Sequence, residues 1–236
     1  MKKLSNGIFN ARFYIFHYSS GMKMKRAAIY IILLLVFSDG ILKAQKGNAA
    51  EINYKMSYEG ESIQLNLFLS NLNFRLEKNS AEDKQVYLFA GGLSVVLYPA
   101  LNIYAEYDDI KDELLNEKPP IAGFSDKPIL TKTKIKENIL GVECEKWILK
   151  NSFTSVEMYI NRDIKFNPKI LDLLPEYSVD WQETLKKEKA LPLLVIIKDE
   201  TGETIYRFEA YNIMLEAQDE ALFRIPGNFD KKGKRK

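Results

Sequence analysis

From residue 51 onward the chain alternates apolar and polar residues with a period of two, the mark of strands buried on one face. In 51–58 the apolar positions are Ile52, Tyr54, Met56 and Tyr58, separated by Asn53, Lys55 and Ser57. In 62–70 they are Ile63, Leu65, Leu67 and Leu69, opposite Gln64, Asn66 and Phe68. The link Glu59-Gly60-Glu61 is short, so the two runs predict an antiparallel hairpin with one buried face. Further strands are predicted over 73–78, 85–90, 94–98 and 101–107, punctuated by Asn71, Gly91-Gly92 and Pro99. They resume over 129–137, 142–150 and 154–162, and a last hairpin joins 191–198 to 203–215 through Asp199-Glu200-Thr201-Gly202. That makes about eleven strands, with no internal repeat.

Two stretches change period. Residues 108–118 place Ile110, Leu114 and Leu115 at helical spacing, and Pro119-Pro120-Ile121-Ala122-Gly123-Phe124 then reads as a loop. In 164–189, Asn167 before Pro168 suits a helix start, because proline fits the first helical position. Ile170, Leu171 and Leu174 share a face until Pro175, and a second helix from about 179 to 189 sets Trp181 and Leu185 four apart on one side. The expected fold class is α+β, mostly β. It is one large curved antiparallel sheet, an unclosed β-barrel, with three short helices over the concave face.

The N-terminus has a different character. Met22-Lys23-Met24-Lys25-Arg26 opens with positive charge, Ala27–Phe37 is an apolar run of eleven, and small Ala44 precedes Gln45. This is the layout of a secretory signal, and a membrane-spanning helix needs about 20 apolar residues. Residues 1–44 are therefore expected to be a leader and signal peptide cut after Ala44, with Gly47-Asn48-Ala49 as a second place to cut. A retained anchor is the other reading. Met22 or Met24 fits the start of this layout better than Met1, which leaves 1–21 either upstream of the true start or a genuine extended leader. The expected location is periplasmic or secreted. The expected organisation is one β-rich domain over 45–229 and a basic tail over 230–236.

Removing 1–44, which hold seven Lys or Arg and one Asp, turns a net charge of +2 into −4. Five basic residues crowd the last six positions: Lys231, Lys232, Lys234, Arg235 and Lys236. A mildly acidic body argues against nucleic acid as a partner. The tail is either a solvated end or a lure for an anionic membrane surface. The single cysteine, Cys144, excludes an intramolecular disulfide.

What the sequence lacks narrows its chemistry. The only histidine, His17, lies in the expected leader, so the remaining chain has no imidazole for a Ser-His-Asp or Cys-His site. One cysteine cannot supply a zinc or other transition-metal site. No phosphate-cradling glycine loop or dinucleotide fingerprint occurs. No cofactor and no enzymatic activity are expected. Asp108-Asp109, Asp112-Glu113 and the pair Glu143/Glu145 are the acidic clusters. Glu143 and Glu145 point to one strand face, with Val142, Cys144 and Ile148 expected inward. Such acids either cut a glycosidic bond or hold calcium, or they are a solvated face. Cys144 is either a small buried apolar residue or a reactive thiol with positive neighbours. The aromatic residues either fill a core or line a greasy cavity. In the cavity reading Leu171, Leu174, Trp181 and Leu185 form a lid, Trp147 lines the wall and Phe124 sits at a loop tip.

Several segments carry a resemblance. Thr131-Lys132-Thr133-Lys134-Ile135, Ile139-Leu140-Gly141-Val142-Glu143-Cys144-Glu145-Lys146, Val156-Glu157-Met158-Tyr159-Ile160 and Leu222-Phe223-Arg224-Ile225-Pro226 with Phe229 are similar to motifs of an uncharacterised exported domain family. They cover about 130–232. That family resembles the periplasmic lipoprotein-carrier (LolA-like) fold, a half-barrel with helical lid segments over a hydrophobic cavity. The resemblance implies a carrier- or chaperone-like protein that binds a lipid, a lipoprotein or another apolar ligand. It brings no catalytic residues. Two departures stand out: no lid helix precedes the first strand, and neither Arg75 nor Arg207 falls in a motif that would make it the carriers' cavity arginine. A non-catalytic structural module that offers an edge strand to a protein partner is the alternative.

Overall fold

Alternation becomes a ladder in every predicted strand. The computed structural model of the chain describes residues 49–58, 60–79, 84–108, 127–174 and 179–232. The expected signal segment, all but Asp108 of the expected 108–118 helix, the loop with Phe124, and residues 233–236 of the tail lie outside these. The strands are β1 (Ala49–Tyr58), β2 (Glu61–Ser70), β3 (Asn73–Asn79), β4 (Lys84–Ala90), β5 (Leu93–Tyr98), β6 (Ile103–Glu106), β7 (Ile129–Ile139), β8 (Val142–Lys150), β9 (Ser155–Asn161), β10 (Leu191–Lys198), β11 (Thr204–Met214) and β12 (Asp230–Lys231). They form one unclosed, curved sheet in the order β12-β6-β5-β4-β3-β2-β1-β11-β10-β9-β8-β7. The single strand expected over 101–107 is shorter: Pro99–Leu101 is a 3-10 turn, and β6 begins only after it. The β7–β8 turn puts Leu140 and Gly141 at φ 52° and 87°. Two left-handed residues twist a hairpin in the sense its strands need.

Two meanders meet at one seam. β1 to β6 step outward from the middle of the sheet, β7 to β11 step back from its other end, and β11 pairs antiparallel with β1. The seam carries side-chain links as well as a backbone ladder. Asn212 Nδ2 donates to Asn53 Oδ1 at 2.8 Å, and Asn53 Nδ2 donates to Asn66 Oδ1 at 3.0 Å, a rung across three strands. On the opposite face Tyr54 stacks on Phe208 with ring centroids 4.5 Å apart. The Tyr54 hydroxyl donates to the Pro192 carbonyl at 3.0 Å. The β9–β10 register shifts between Pro192 and Leu194, because proline has no N–H for the ladder. The tyrosine thus serves a carbonyl at an irregular point of that ladder.

The inner face holds the main core. Ile52, Leu67, Leu76, Tyr87 and Val96 from one meander share a cluster with Trp147, Met158, Val195 and Phe208 from the other. Over it lies the insertion between β9 and β10, which contributes Ile164, Phe166, Ile170, Leu171, Leu174, Trp181 and Leu185 to the same cluster. Of the helices predicted there, the second is α1 (Val179–Glu188). The first is a 3-10 helix over Pro168–Asp172, with the Asn167 side chain accepting from the Lys169 N–H. Five residues between a proline and the next turn are too few for α-helical pairing to propagate. α1 ends with Lys189 left-handed at φ 51° and the Ala190 N–H on the Leu185 carbonyl, a Schellman closure.

β8 departs from its expected alternation. Val142 and Cys144 are buried, but the inward set then becomes Trp147 and Leu149, and Ile148 is only half-buried. The β7–β8 ladder is irregular at the same level. Its register shifts between Lys132 and Lys136, where the Thr133 hydroxyl donates to the Lys146 carbonyl at 2.6 Å.

The outer face has its own apolar cluster. Val86, Leu88, Val95 and Leu97 pack with Phe223, and Phe68, Leu222, Ile225 and Phe229 border them. Phe68, the one apolar residue on the polar side of β2, is explained by this cover. The C-terminal segment therefore crosses the back of the sheet and ends as β12, parallel to β6. The predicted free tail begins inside the fold: Asp230 N–H bonds the Asn102 carbonyl at 2.9 Å, and Lys231 pairs with Glu106. Arg75 holds the segment from below, donating to the Leu222 carbonyl at 3.2 Å and to Glu77 at 2.7 Å. Burial pushes the Glu77 carboxyl up, but hydrogen bonds from Lys84 and Arg75 outweigh it and hold the pKa below the usual value. Arg207 also points away from the core, to Glu209. Neither arginine faces the inner side.

Two measurements test this account. Tyr54→Phe is expected to lower unfolding stability by about 1–3 kcal/mol in a urea titration, since the Pro192 carbonyl loses its donor. Phe223→Ala is expected to cost about 3 kcal/mol and to raise hydrogen exchange along β4 and β5.

Candidate ligand site

The residues expected to roof or line a cavity are placed as follows. Leu171, Leu174, Trp181 and Leu185 all turn inward and are buried against the sheet. Trp147 is buried on β8, beneath two cations: Lys132 Nζ lies 4.7 Å from its ring centroid and Arg162 4.9 Å. Its indole N–H donates to Glu145 at 3.1 Å. Lys132 reaches on to Glu188 at 2.7 Å, so this cluster pins the last turn of α1 to the end of the sheet. Phe124 lies outside the described residues. The insertion is not wholly satisfied by its packing. Gln182 is buried and donates to the Leu174 carbonyl at 3.0 Å, but its Oε1 and the Trp181 indole nitrogen find no partner among the described residues.

The open volume lies to one side of this packed centre. A cavity of about 130 Å³ is lined by Phe74, Tyr87, Leu88, Ser94, Val95, Tyr107, Asp108, Lys169, Asp172 and Leu173. It sits where β3, β4 and β5 meet the flank of the 3-10 helix. Phe74 of its wall stacks on Phe89, with ring centroids 5.6 Å apart. Lys169 is exposed and holds its ammonium 5.0 Å from the Phe89 ring, while Asp172 is tied to Lys186 of α1. None of Leu171, Leu174, Trp181, Leu185 and Trp147 lines it. The predicted residues are the ones that hold the insertion down. Lys169, Asp172 and Leu173, on the other side of the same segment, line the pocket. Helical spacing over 167–174 already separates them from Ile170, Leu171 and Leu174, but it does not say that their side is left open.

Each acidic candidate near β8 is already engaged. Glu143 pairs with Lys136 at 2.7 Å and is exposed, whereas Glu145 accepts from Trp147. With different partners the two do not converge on a shared substrate position. Among the described residues no group of three or more His, Cys, Asp or Glu is placed to hold a metal. Cys144 is buried with its thiol on the Val142 carbonyl at 3.6 Å. Burial pushes its pKa up to about 12, the reverse of an activated nucleophile.

Cys144 supplies a direct test. The thiol is expected to resist alkylation at pH 8 in the folded protein and to react at once in denaturant. Its folded pKa lies above the unfolded one, so the thiol's own contribution to stability is constant below about pH 8.5 and falls above it, as the unfolded thiol ionises first. Cys144→Ala is expected to flatten that alkaline fall in denaturation curves taken across pH 8–11.

Comparison with known proteins adds a family and a set of folds. A family model, Domain of unknown function (DUF4412), matches residues 49–229. No curated protein matches the chain. Among solved structures it is similar to an uncharacterized conserved protein from Thermus thermophilus, at 13% identity and TM-score 0.46, over 82% of this chain and 97% of that one. It is similar to a chain of the MucA/MucB complex of Pseudomonas aeruginosa, at 11% identity and TM-score 0.46, over 79% of this chain and 58% of that one. A third likeness is to a domain described as an outer membrane lipoprotein-sorting protein domain from Vibrio parahaemolyticus, at 9% identity and TM-score 0.32, over 77% and 92% of the two chains.

Proposed function

We propose that this chain, which belongs to the DUF4412 family, is a non-enzymatic binding module of the cell envelope that takes the apolar end of an amphipathic ligand into the cavity beside β3–β5. The observation that carries this reading is the cavity itself: an aromatic wall from Phe74 and Tyr87, a floor at Ser94, and Lys169 at the rim. Its size sets the scale of the ligand. About 130 Å³ matches the volume that accepts a benzene-sized molecule. Pockets that enclose drug-sized ligands run to about 300–1,000 Å³. The fit is therefore to a chain terminus or a ring, with the polar head outside near Lys169, and not to a whole lipid within the sheet. Engagement of Glu143 and Glu145 by other side chains and the high pKa of Cys144 support a role without catalysis. The charged, apolar and small-residue layout of 22–44 supports export.

The ligand test uses dodecanoate titrated by calorimetry. One equivalent is expected to bind, and Ser94→Trp, which fills the cavity from β5, is expected to weaken binding about tenfold or more with the melting temperature retained. Equal binding by Ser94→Trp would place the ligand elsewhere, and no binding up to the solubility limit would sink the reading. For export, N-terminal sequencing of the protein recovered from an envelope fraction is expected to begin at Gln45; a start within 1–26 would mean a retained leader.

A further inference from the structure

The two ends of the sheet are treated differently. At one end β12 and the Lys231–Glu106 pair close off β6. At the other end is β7, eleven residues long, with no partner strand on its outer side among the described residues. β7 reads Ile-Leu-Thr-Lys-Thr-Lys-Ile-Lys-Glu-Asn-Ile, rich in β-branched residues. It exposes apolar side chains where edge strands ordinarily show none: Ile129 is 73% exposed and Ile135 50%. A long edge with free N–H and C=O groups is a template for another strand.

We propose that the outer edge of β7 docks an extended acidic segment of a partner protein, which joins the sheet as an added strand. Charge selects that occupant over a second copy of this chain. Lys132, Lys134 and Lys136 recur at every second position, and Glu137 is the only acid in the strand. An antiparallel β7–β7 pairing centred on Lys134 sets Lys132 against Lys136 and Lys134 against itself. Like charges directly opposite are destabilising, while Glu or Asp opposite lysine is favourable. Lys134 has no ion pair among the described residues, whereas Lys132 and Lys136 already hold Glu188 and Glu143. The bulge at 133–135 leaves regular pairing segments on both sides, so an added strand as long as β7 engages 129–132 and 136–139. The lysines guard the edge against self-association and at the same time admit an acidic strand.

The experiment adds a capped peptide of alternating Val and Glu, as long as β7, to the full chain and follows fluorescence anisotropy and amide hydrogen exchange. The acidic peptide is expected to bind about tenfold or more tightly than its Lys counterpart, with new protection confined to 129–139. Lys132→Glu with Lys136→Glu, in the two paired segments, is expected to abolish that preference. The same acidic peptide N-methylated at alternate amides keeps its charge and loses its ladder, and is expected not to bind. Equal binding by the methylated peptide, protection outside β7, or dimerisation through β7 in sedimentation would each overturn the proposal.

Discussion

Pairing of β1 with β11 is the constraint on which the molecule depends. Without it there are two separate meanders, each with a bare inner face; with it there is one sheet that curves around a common core. The seam joins residues far apart in sequence, as in the Asn53–Asn212 bond across 159 positions. Closing so long a loop is entropically costly, so the seam is reinforced on both faces. The Asn212–Asn53–Asn66 rung runs along one side. Tyr54, stacked on Phe208 and bonded to Pro192, runs along the other. Tyr54 thereby links the seam to the irregular start of β10, where the insertion rejoins the sheet.

That insertion decides what the inner face offers. An open sheet needs something on its concave side, and here Ile164, Phe166, Ile170, Leu171, Leu174, Trp181 and Leu185 pack into the core there. Trp181 and Leu185 fill the middle, and the salt-bridged cluster around Trp147 fastens the far end. Among the described residues a pocket stays open over β3–β5, beside the 3-10 helix. A half-barrel fold does not itself confer a large cavity. How far the insertion reaches across the sheet sets the volume left for a ligand.

The outer face and the two sheet ends show a second division of labour. The C-terminal segment covers the apolar back of β4 and β5 and blocks the β6 edge, with Arg75 and Glu77 bridging strap and strand. Among the described residues β7 carries lysines and a bulge and no further strand on its outer side. A charged edge remains selective where a covered edge is closed to everything.

Much of this was legible in the sequence. Period-two alternation marked the eleven longer strands, because a half-buried strand must present its apolar residues on one side. Turn residues such as Gly91-Gly92 and Asp199-Glu200-Thr201-Gly202 separated them, and Asn167-Pro168 marked the start of the insertion's helical part. The inward set of the insertion, Leu171, Leu174, Trp181 and Leu185, was also readable, since spacing alone places those residues together. Spacing does not say how closely that face approaches the sheet, and so the pocket beside β3–β5, lined by Lys169, Leu173 and Ser94, was not readable. Nor was the inward shift at Trp147, which breaks the alternation along β8. β12 and the strap were missed for a related reason: a two-residue strand has no period, and Phe223 needs the outer face of β4 and β5 before its burial makes sense. The sequence by itself determined the local elements and the face each one buries, because those follow from contacts a few residues apart. Only the tertiary structure decided the β1–β11 seam, which edge is closed and where open volume remains, because these depend on contacts between segments that meet only when the whole sheet has formed.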